Sequence, residues 1–315
     1  MKKILANDGI DEMGKSILEK AGFKVITEKV SQDKLAQTIN DNNYIGLTVR
    51  SATKVRKDII DSCPDLKLIG RGGVGMDNID VEYAKNKGIT VANTPAASSI
   101  SVAELVVAHL FSMVRFLYDS NRKMPISGQT NFADLKKQYA AGSEVSGKTI
   151  GIIGFGRIGQ TVAKYALGLG MKVKAYDPFV TNATISLSFF DNQHIDLKID
   201  TVTMEELLTQ SDFITLHVPG GEIITKKEFA MMKQGAGIIN TARGGAINEN
   251  DLIEALNSNK IAFAALDVFE NEPTPKLELL THPKISMTPH IGAATNEAQE
   301  RIGIELADKI IEALK

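Results

Sequence analysis

The stretch that decides the fold is Gly151-Ile152-Ile153-Gly154-Phe155-Gly156-Arg157-Ile158-Gly159, near the middle of the chain. It contains glycines at the spacing Gly-x-Gly-x-x-Gly. An apolar run at 148–153 leads into the glycines and predicts a buried strand, and a helical pattern at 160–167 follows them. Strand, glycine turn and helix in this order form the context that a dinucleotide-binding fingerprint requires.

Each glycine of this turn has a separate role in such a site. The first permits a tight turn, the second lets the backbone approach a pyrophosphate, and the third lets helix and strand pack closely. The helix N-terminus then offers free N–H groups and the positive end of its dipole to the phosphates. A plain structural turn is the alternative, because 26 glycines in 315 residues produce chance matches.

The acid at the end of the next strand decides between these alternatives. The next predicted strand, 172–176, is followed by Asp177, 18 residues past Gly159. A carboxylate at this position accepts hydrogen bonds from an adenosine ribose. It also repels a 2′-phosphate, so the sequence favours NAD over NADP as the cofactor.

Composition bounds the class of protein. A chain of 315 residues with 43% hydrophobic content suits two domains with real cores. The formal charge of -2 gives no indication of nucleic acid or an anionic membrane as partner. The single cysteine, Cys63, cannot form an intrachain disulfide, and no apolar stretch is long enough for a membrane span, so we expect a cytoplasmic protein. No cluster has metal-ligand spacing, and we expect no metal.

Strand and helix patterns alternate along both halves of the chain. Residues 3–92 and 148–290 each contain such a series, which predicts an α/β fold with parallel sheets covered by helices. The segment 119–146 is polar and is expected to be irregular, apart from a short helix at 132–137. The long segment 179–203 predicts an added hairpin without a catalytic role. An amphipathic helix at 295–314 closes the chain, and we expect it to pack on the first domain.

Three side chains at strand ends of the second series match the needs of hydride transfer from a 2-hydroxy acid. Arg243 can hold a carboxylate with its planar fork. His290 is a candidate acid/base at the hydroxyl, since histidine exchanges protons near neutral pH. Glu272 could hydrogen-bond one imidazole nitrogen and orient the ring. By residue type alone, a surface arginine and a simple Pro-His turn remain alternatives.

Six motifs resemble the D-isomer-specific 2-hydroxyacid dehydrogenases and occur in family order. They are 151–159, Asp177, His217-Val218-Pro219, Asn240-Thr-Ala-Arg-Gly-Gly245, Leu266-Asp-Val-Phe-Glu-Asn-Glu-Pro273 and Thr288-Pro-His-Ile-Gly-Ala293. The resemblance implies two doubly wound parallel-sheet domains with a cleft between them. A flavodoxin-like substrate-binding domain would comprise 1–97 and 291–315, and a Rossmann NAD-binding domain 98–290.

The resemblance also implies roles for individual residues. Arg243, Glu272 and His290 would be the catalytic arginine, glutamate and histidine. The cofactor contacts would be Val74, Gly154, Gly156, Arg157, Ile158, Gly159, Asp177, His217, Val218, Pro219, Thr241, Ala242, Arg243, Asp267, His290, Gly292 and Ala293. His109 lies in an apolar helix and is expected to be a packed core histidine.

The first half of the chain resembles the D-3-phosphoglycerate dehydrogenase branch of that family. The matching segments are 49–55, 69–80 and 93–104. Arg50 and Ser51 could bind a substrate phosphate, while the Gly73 and Val74 amides join Arg243 on the carboxylate beside His290. The resemblance implies NAD-dependent oxidation of 3-phospho-D-glycerate, the first step of serine synthesis, by a homodimer. A glyoxylate or hydroxypyruvate reductase and a non-catalytic NAD-sensing co-regulator are the alternatives.

Overall fold

The computed structural model describes all 315 residues, which divide into two compact units. Unit 1 comprises Met1–Ser101 and Ala293–Lys315, and unit 2 comprises Val102–Gly292. Both units are parallel β-sheets with helices on their faces, as the alternation of strand and helix patterns predicts.

The chain contains thirteen strands and twelve α-helices. The strands are β1 (Lys2–Ala6), β2 (Phe23–Ile26), β3 (Tyr44–Val49), β4 (Leu68–Arg71), β5 (Thr90–Asn93), β6 (Thr149–Ile153), β7 (Lys172–Tyr176), β8 (Asn182–Ser188), β9 (His194–Asp200), β10 (Phe213–Leu216), β11 (Ala236–Asn240), β12 (Ile261–Leu266) and β13 (Ile285–Met287). The helices are α1 (Glu12–Lys20), α2 (Leu35–Asp41), α3 (Lys57–Ser62), α4 (Val81–Asn86), α5 (Ser99–Val114), α6 (Leu117–Gln138), α7 (Arg157–Gly168), α8 (Met204–Gln210), α9 (Lys226–Met231), α10 (Glu249–Asn257), α11 (Leu277–Leu280) and α12 (Asn296–Leu314).

Unit 1 is built on five parallel strands in the order β2-β1-β3-β4-β5. This is the flavodoxin-like order. From β1 the sheet is extended by β2 on one side and by β3, β4 and β5 on the other, so the order of the strands reverses between β1 and β3. Helix α12 packs against α1 where two glycines meet. A Cβ atom at Gly14 would lie 2.5 Å from the Gly303 carbonyl oxygen, so the close approach of these helices requires glycine. The closing helix therefore belongs to the core of unit 1.

Unit 2 is built on six parallel strands in the order β13-β12-β11-β10-β6-β7. Strand β6 lies between β7 and β10, which is the doubly wound arrangement of a dinucleotide-binding sheet. In its usual six-stranded form another strand continues the sheet beyond β7. Here the chain at that edge forms the antiparallel pair β8–β9 instead, and the hairpin predicted for 179–203 is confirmed.

The expectation of an irregular segment is wrong for residues 119–131, because α6 extends over 117–138; the short helix expected at 132–137 lies within α6, and residues 139–146 are not helical. Phe116, with φ of +55°, separates α6 from α5. Helix α6 buries only Leu135, so it has no apolar stripe from which periodicity could be read. A ladder of surface contacts supports it instead, including the ion pair of Asp119 with Lys123 at 3.0 Å.

No single helix of the chain combines the length and apolar composition needed to cross a membrane. Helices α5 and α6 pass that test only when they are counted together across the 59° bend between them.

Candidate active site

The glycine turn between β6 and α7 has the geometry of a pyrophosphate cradle. Gly154 has φ of +93°, and a Cβ atom there would lie 2.4 Å from the His217 carbonyl oxygen. A Cβ atom at Gly159 would lie 2.1 Å from the Gly154 carbonyl oxygen. The protein therefore requires both glycines for its own packing. Around Gly156 no atom beyond its two chain neighbours lies within 4 Å of the position that a Cβ atom would take, so its lack of a side chain leaves open space for a ligand.

The N-terminus of α7 is free to bind an anion. Gly156 caps the helix without a side-chain hydrogen bond, so the first-turn N–H groups of Arg157 and Ile158 remain available as hydrogen-bond donors. The helix has 12 residues, and the positive end of its dipole lies at this turn. Together with the open space at Gly156, these donors fit the pyrophosphate of a dinucleotide.

Asp177 shapes the turn in a way that its sequence position does not reveal. Its Oδ2 atom accepts a hydrogen bond from the Phe155 N–H at 2.7 Å. Its Oδ1 atom accepts from the N–H groups of Phe179 at 2.8 Å and Val180 at 3.1 Å. The carboxylate thus supports both the glycine turn and the turn after β7. A second lone pair on Oδ2 remains for a ribose hydroxyl, and that contact stays a prediction.

His217, which follows β10, is a neutral structural residue. Its Nε2 atom lies 3.0 Å from the Thr215 hydroxyl, and its Nδ1 atom is buried without a partner. Burial lowers the pKa of His217 to about 3, so the imidazole carries no charge near neutral pH. A neutral imidazole of this kind is not suited to acid/base catalysis, and the cofactor contacts expected of His217, Val218 and Pro219 stay a prediction.

Arg243 is held by the asparagine that ends β11. The buried Asn240 accepts a hydrogen bond from the Ala242 N–H at 3.0 Å and donates one to the Arg243 carbonyl oxygen at 2.9 Å. A Cβ atom at Gly244 would lie 1.9 Å from the Phe269 carbonyl oxygen, so the turn packs directly on the segment after β12. The half-buried guanidinium of Arg243 donates to the Ala242 carbonyl oxygen at 2.6 Å. Sequence reasoning missed the part that Asn240 plays in this turn.

His290 and Glu272 form the pair that their residue types suggest. The His290 Nδ1 atom lies 2.7 Å from the Glu272 Oε2 atom. Glu272 is fixed in turn by the Phe269 N–H, which donates to its Oε1 atom at 3.0 Å. The His290 side chain is 48% exposed and its Nε2 atom makes no hydrogen bond to the protein, so that nitrogen is available to a substrate hydroxyl.

Asp267 holds the chain on both sides of His290. It is 1% exposed, and its Oδ1 atom accepts from the Thr288 hydroxyl at 2.6 Å and from the Ile291 N–H at 2.8 Å. Its Oδ2 atom accepts from the Gly292 N–H at 2.8 Å. The sequence marks Asp267 as a cofactor contact, whereas in this structure its oxygens bind the loop that carries His290. A buried acid at the end of a strand was the only signal for this positioning role.

His109 extends the same network into the core. The Thr288 hydroxyl donates to Asp267, so it accepts from the His109 Nε2 atom at 3.0 Å. The Nδ1 atom of His109 then accepts from the Ser286 hydroxyl at 3.2 Å. Burial lowers the pKa of His109, and the charge of Asp267 offsets only part of this effect. The expectation of a packed core histidine is confirmed, since His109 is 3% exposed.

In unit 1, Asp8 holds the loop that presents Arg50. Its Oδ2 atom accepts from the N–H groups of Arg50 at 2.8 Å and Thr53 at 3.0 Å. Its Oδ1 atom accepts from the Thr53 hydroxyl at 2.7 Å and from Lys29 at 3.2 Å. Burial raises the pKa of Asp8, but these hydrogen bonds outweigh burial and leave the pKa below its usual value. The carboxylate is therefore ionised and locks the loop.

The Arg50 guanidinium is exposed and makes no hydrogen bond to the protein. It borders a cavity of about 280 Å³ that is also lined by Gly72, Val49 and Gln299. The adjacent Ser51 is exposed as well. An unpaired arginine at the carboxyl end of a parallel strand is suited to bind an anionic ligand.

The Gly73 and Val74 amides differ in availability. The Gly73 N–H donates to the buried Thr94 hydroxyl at 2.8 Å. The Val74 carbonyl oxygen accepts from Asn93 at 2.7 Å, and the Val74 N–H has no protein acceptor. In this structure Val74 is thus the amide of the two that remains available for a carboxylate.

The remaining predicted residues occupy turns at strand ends. Thr241 and Ala242 are buried in the turn after β11, and the Thr241 hydroxyl is buried without a partner. Gly292 is the last residue of unit 2, and Ala293, the next residue, accepts a hydrogen bond from Gln299 in unit 1. No group of three or more His, Cys, Asp or Glu side chains is placed to hold a metal ion.

Comparisons with known proteins place these features in a family context. The family described as D-isomer specific 2-hydroxyacid dehydrogenase, NAD binding domain, matches residues 107–292. The hydroxypyruvate reductase of Thermotoga maritima is 42% identical over 320 residues, covering 99% of this chain and 98% of that protein. The D-3-phosphoglycerate dehydrogenase of Methanocaldococcus jannaschii is 41% identical over 319 residues, and this match covers 100% of the present chain.

The match to the Methanocaldococcus jannaschii dehydrogenase covers 58% of the length of that protein, so this chain spans little more than half of it. Among solved structures, a glyoxylate reductase from Paecilomyes thermophila superposes with a TM-score of 0.82 at 28% identity, covering 100% of this chain and 95% of that one. Similarity in sequence and in fold thus extends over the whole chain.

Proposed function

Because the chain belongs to the D-isomer-specific 2-hydroxyacid dehydrogenase family, we propose that it oxidises 3-phospho-D-glycerate to 3-phosphohydroxypyruvate with NAD. This reaction would be the entry to serine synthesis. The observation that carries the proposal beyond the family is the unpaired Arg50 guanidinium beside its cavity. A substrate with a phosphate needs a cation besides the one that holds its carboxylate.

The glycine turn and the N-terminus of α7 would hold NAD, which would supply the acceptor for the hydride at C2 of the substrate. His290 takes the hydroxyl proton at Nε2, because its Nδ1 atom is engaged with Glu272 at 2.7 Å. Glu272 then stabilises the imidazolium that forms, and the N–H of Phe269 keeps Glu272 in place. Arg243 binds the substrate carboxylate through its guanidinium, which sets the orientation of C2.

Arg50 and Ser51 are the proposed ligands of the substrate phosphate. Asp8 already holds the Arg50 amide, so the loop is ordered before a substrate arrives. Preorganisation of this kind reduces the entropy lost on binding. The guanidinium itself makes no hydrogen bond or ion pair with the protein and can pair with phosphate oxygens in a bidentate manner.

A hydroxypyruvate reductase is the second candidate function. The match to the Thermotoga maritima protein, which carries that name, covers 98% of its length, whereas the match to the Methanocaldococcus jannaschii dehydrogenase covers 58%. This candidate uses the same His290, Glu272 and Arg243, and it assigns no phosphate to Arg50.

A substrate panel with Arg50→Ala separates the two candidates. 3-Phosphoglycerate, hydroxypyruvate and glyoxylate are each assayed with NAD(H) and NADP(H). We expect Arg50→Ala to lower kcat/KM for 3-phosphoglycerate by about 10- to 100-fold, because a charged hydrogen-bonding pair is lost. The kinetics with hydroxypyruvate should stay nearly unchanged. Equal effects on both substrates contradict a phosphate role for Arg50.

Lys54→Ala is the matched control for that experiment. Lys54 is an exposed cation on the same loop, and its side chain makes no hydrogen bond. It should leave all kinetics near wild type. Binding of NADH without turnover of any 2-keto acid would instead favour an NAD-sensing co-regulator.

We also propose a cytoplasmic homodimer. Helices α5 and α6 expose apolar side chains that one protomer does not cover, including Leu117, Ile126 and Phe132. A second copy packed on these helices would remove that surface from water. A monomeric mass by light scattering contradicts the dimer.

A further inference from the structure

The hairpin β8–β9 has two chemically distinct faces. Cross-strand pairs place Ile185 opposite Leu197 and Leu187 opposite Ile195, so one face is apolar. The part nearest the sheet is covered, since Ile185 is 4% exposed. Leu197, opposite Ile185, is 38% exposed, and Ile195, nearer the tip of the hairpin, is 51% exposed. Strand β9 therefore carries an apolar surface that nothing in this chain covers.

Strand β9 is also an open edge. The Phe189 N–H donates to the Gln193 carbonyl oxygen, and the Thr201 N–H donates to the Thr181 carbonyl oxygen. In an antiparallel ladder these bonds recur at every second residue, so the odd-numbered residues of β9 face β8. The backbone groups of His194, Asp196, Lys198 and Asp200 consequently point away from the hairpin, and the two-stranded sheet ends there.

The charges on this edge are self-complementary. In an antiparallel pair of two β9 strands centred on Leu197, Asp196 lies opposite Lys198 of the second copy, and His194 lies opposite Asp200. This register also aligns the outward backbone groups of both strands. A shift of two residues either way places Asp196 opposite Asp196 or Lys198 opposite Lys198. A shift of one residue puts apolar side chains on the polar face.

We propose that a second copy of this chain pairs with β9 antiparallel about Leu197, forming a four-stranded sheet β8-β9-β9-β8. Each Lys198, which lies 2.9 Å from Asp200 in its own strand, then also meets Asp196 of the other copy. Asp196 keeps its hydrogen bond from the Ser186 hydroxyl on the same face. On the apolar face, Ile195 is covered by Ile199 of the other copy. This contact uses none of the residues assigned to catalysis and none of α5 or α6.

A cysteine at the centre of the pairing gives a direct test. Leu197→Cys would face itself in a pair without backbone hydrogen bonds, where Cα atoms are about 4.5 Å apart and a disulfide can form. The thiols are oxidised with diamide, which accepts the two hydrogens. Ile195→Cys is the control, because residue 195 is more exposed but lies about 13 Å from its own copy in this register. The native Cys63 is 1% exposed and should not react.

We expect rapid cross-linking of Leu197→Cys and little of Ile195→Cys. Equal cross-linking of both variants, or of neither, overturns the proposal. Charge reversal tests the register independently by light scattering and sedimentation.

Asp196→Lys or Lys198→Asp alone should weaken the association by on the order of tenfold or more, since two attractive pairs become repulsive. The double variant, with the two charges exchanged, restores the pairs and should recover the wild-type mass. Identical assembly of the wild type and of both single variants contradicts pairing through β9.

Discussion

Replacing Gly156 with alanine distinguishes a glycine needed by a ligand from one needed by the fold. Gly156 has φ of −76° and ψ of −160°, an extended conformation that an alanine can adopt. Beyond its two chain neighbours, no residue has an atom within 4 Å of the added methyl group. The free energy of unfolding should therefore stay within about 1 kcal/mol of the wild type, with a small gain from the stiffer unfolded chain.

Gly159→Ala should behave in the opposite way. Its methyl group would lie 2.1 Å from the Gly154 carbonyl oxygen, so α7 must move away from the turn. Overpacking of this kind costs about 1–3 kcal/mol, and the neighbour here is rigid backbone, which places the expected loss at the upper end. Gly168→Ala, in the same helix with open space around it, should not reduce stability.

Gly156→Ala, which should keep its stability, should lose affinity for the cofactor. The methyl group of Gly156→Ala occupies the space where the pyrophosphate approaches the first-turn N–H groups. Loss of one such charged hydrogen bond costs about 1.5–3 kcal/mol, which corresponds to about 10- to 100-fold weaker NADH binding. Gly168→Ala should bind NADH like the wild type, since it lies at the far end of α7.

Urea unfolding followed by circular dichroism measures the free energy of unfolding, and NADH fluorescence titration measures the affinity for the cofactor. A Gly156→Ala protein that binds NADH with wild-type affinity refutes the cradle assignment. A Gly156→Ala protein as unstable as Gly159→Ala shows that the open space at residue 156 does not exist in solution.

The remaining predictions concern single side chains. His290→Ala should lower turnover by about a hundred-fold or more with the fold intact, and near-normal turnover would exclude His290 as the acid/base. Asp8→Asn should destabilise the protein by about 1–3 kcal/mol at pH 7, because the NH2 group that replaces one carboxylate oxygen cannot accept the hydrogen bonds that this oxygen receives. The pKa of Asp8 is lower in the folded state, so its contribution is present above about pH 3.8 and is lost as pH falls further; the variant should show a flatter stability profile there, measured by urea unfolding from pH 2 to 5. Burial raises the pKa of the Cys63 thiol to about 11, so iodoacetamide at pH 8 should label it only after unfolding, and fast labelling of the native protein would contradict its burial.

Much of the fold could be predicted from local patterns. The strand, glycine turn and helix around 151–159 lie close together in the sequence, so their spacing alone identifies the unit. The hairpin at 179–203 was also predictable, because its length exceeds what a single connection needs. Of helix α6 only the stretch 132–137 was predicted, since a helix that buries only Leu135 shows no apolar periodicity along its length.

The site depended more strongly on long-range contacts. The sequence identified Arg243, Glu272 and His290 by residue type and motif, and 18 residues separate the pair that meets at 2.7 Å. The partners that hold them were hidden. Asp267 reaches the loop around His290 across 21 to 25 residues. Asp8 reaches Arg50 across 42 residues.

By itself the sequence determined the cofactor turn and the type of chemistry, because glycine spacing and side-chain functional groups are local properties. Only the tertiary structure decided how those groups are held. It showed that Gly156 faces open space while Gly154 and Gly159 are enclosed, and that Asp177 supports the turn beside them. It also left the edge of β9 unpaired. Such properties depend on which distant segments meet, and no window of sequence contains that information.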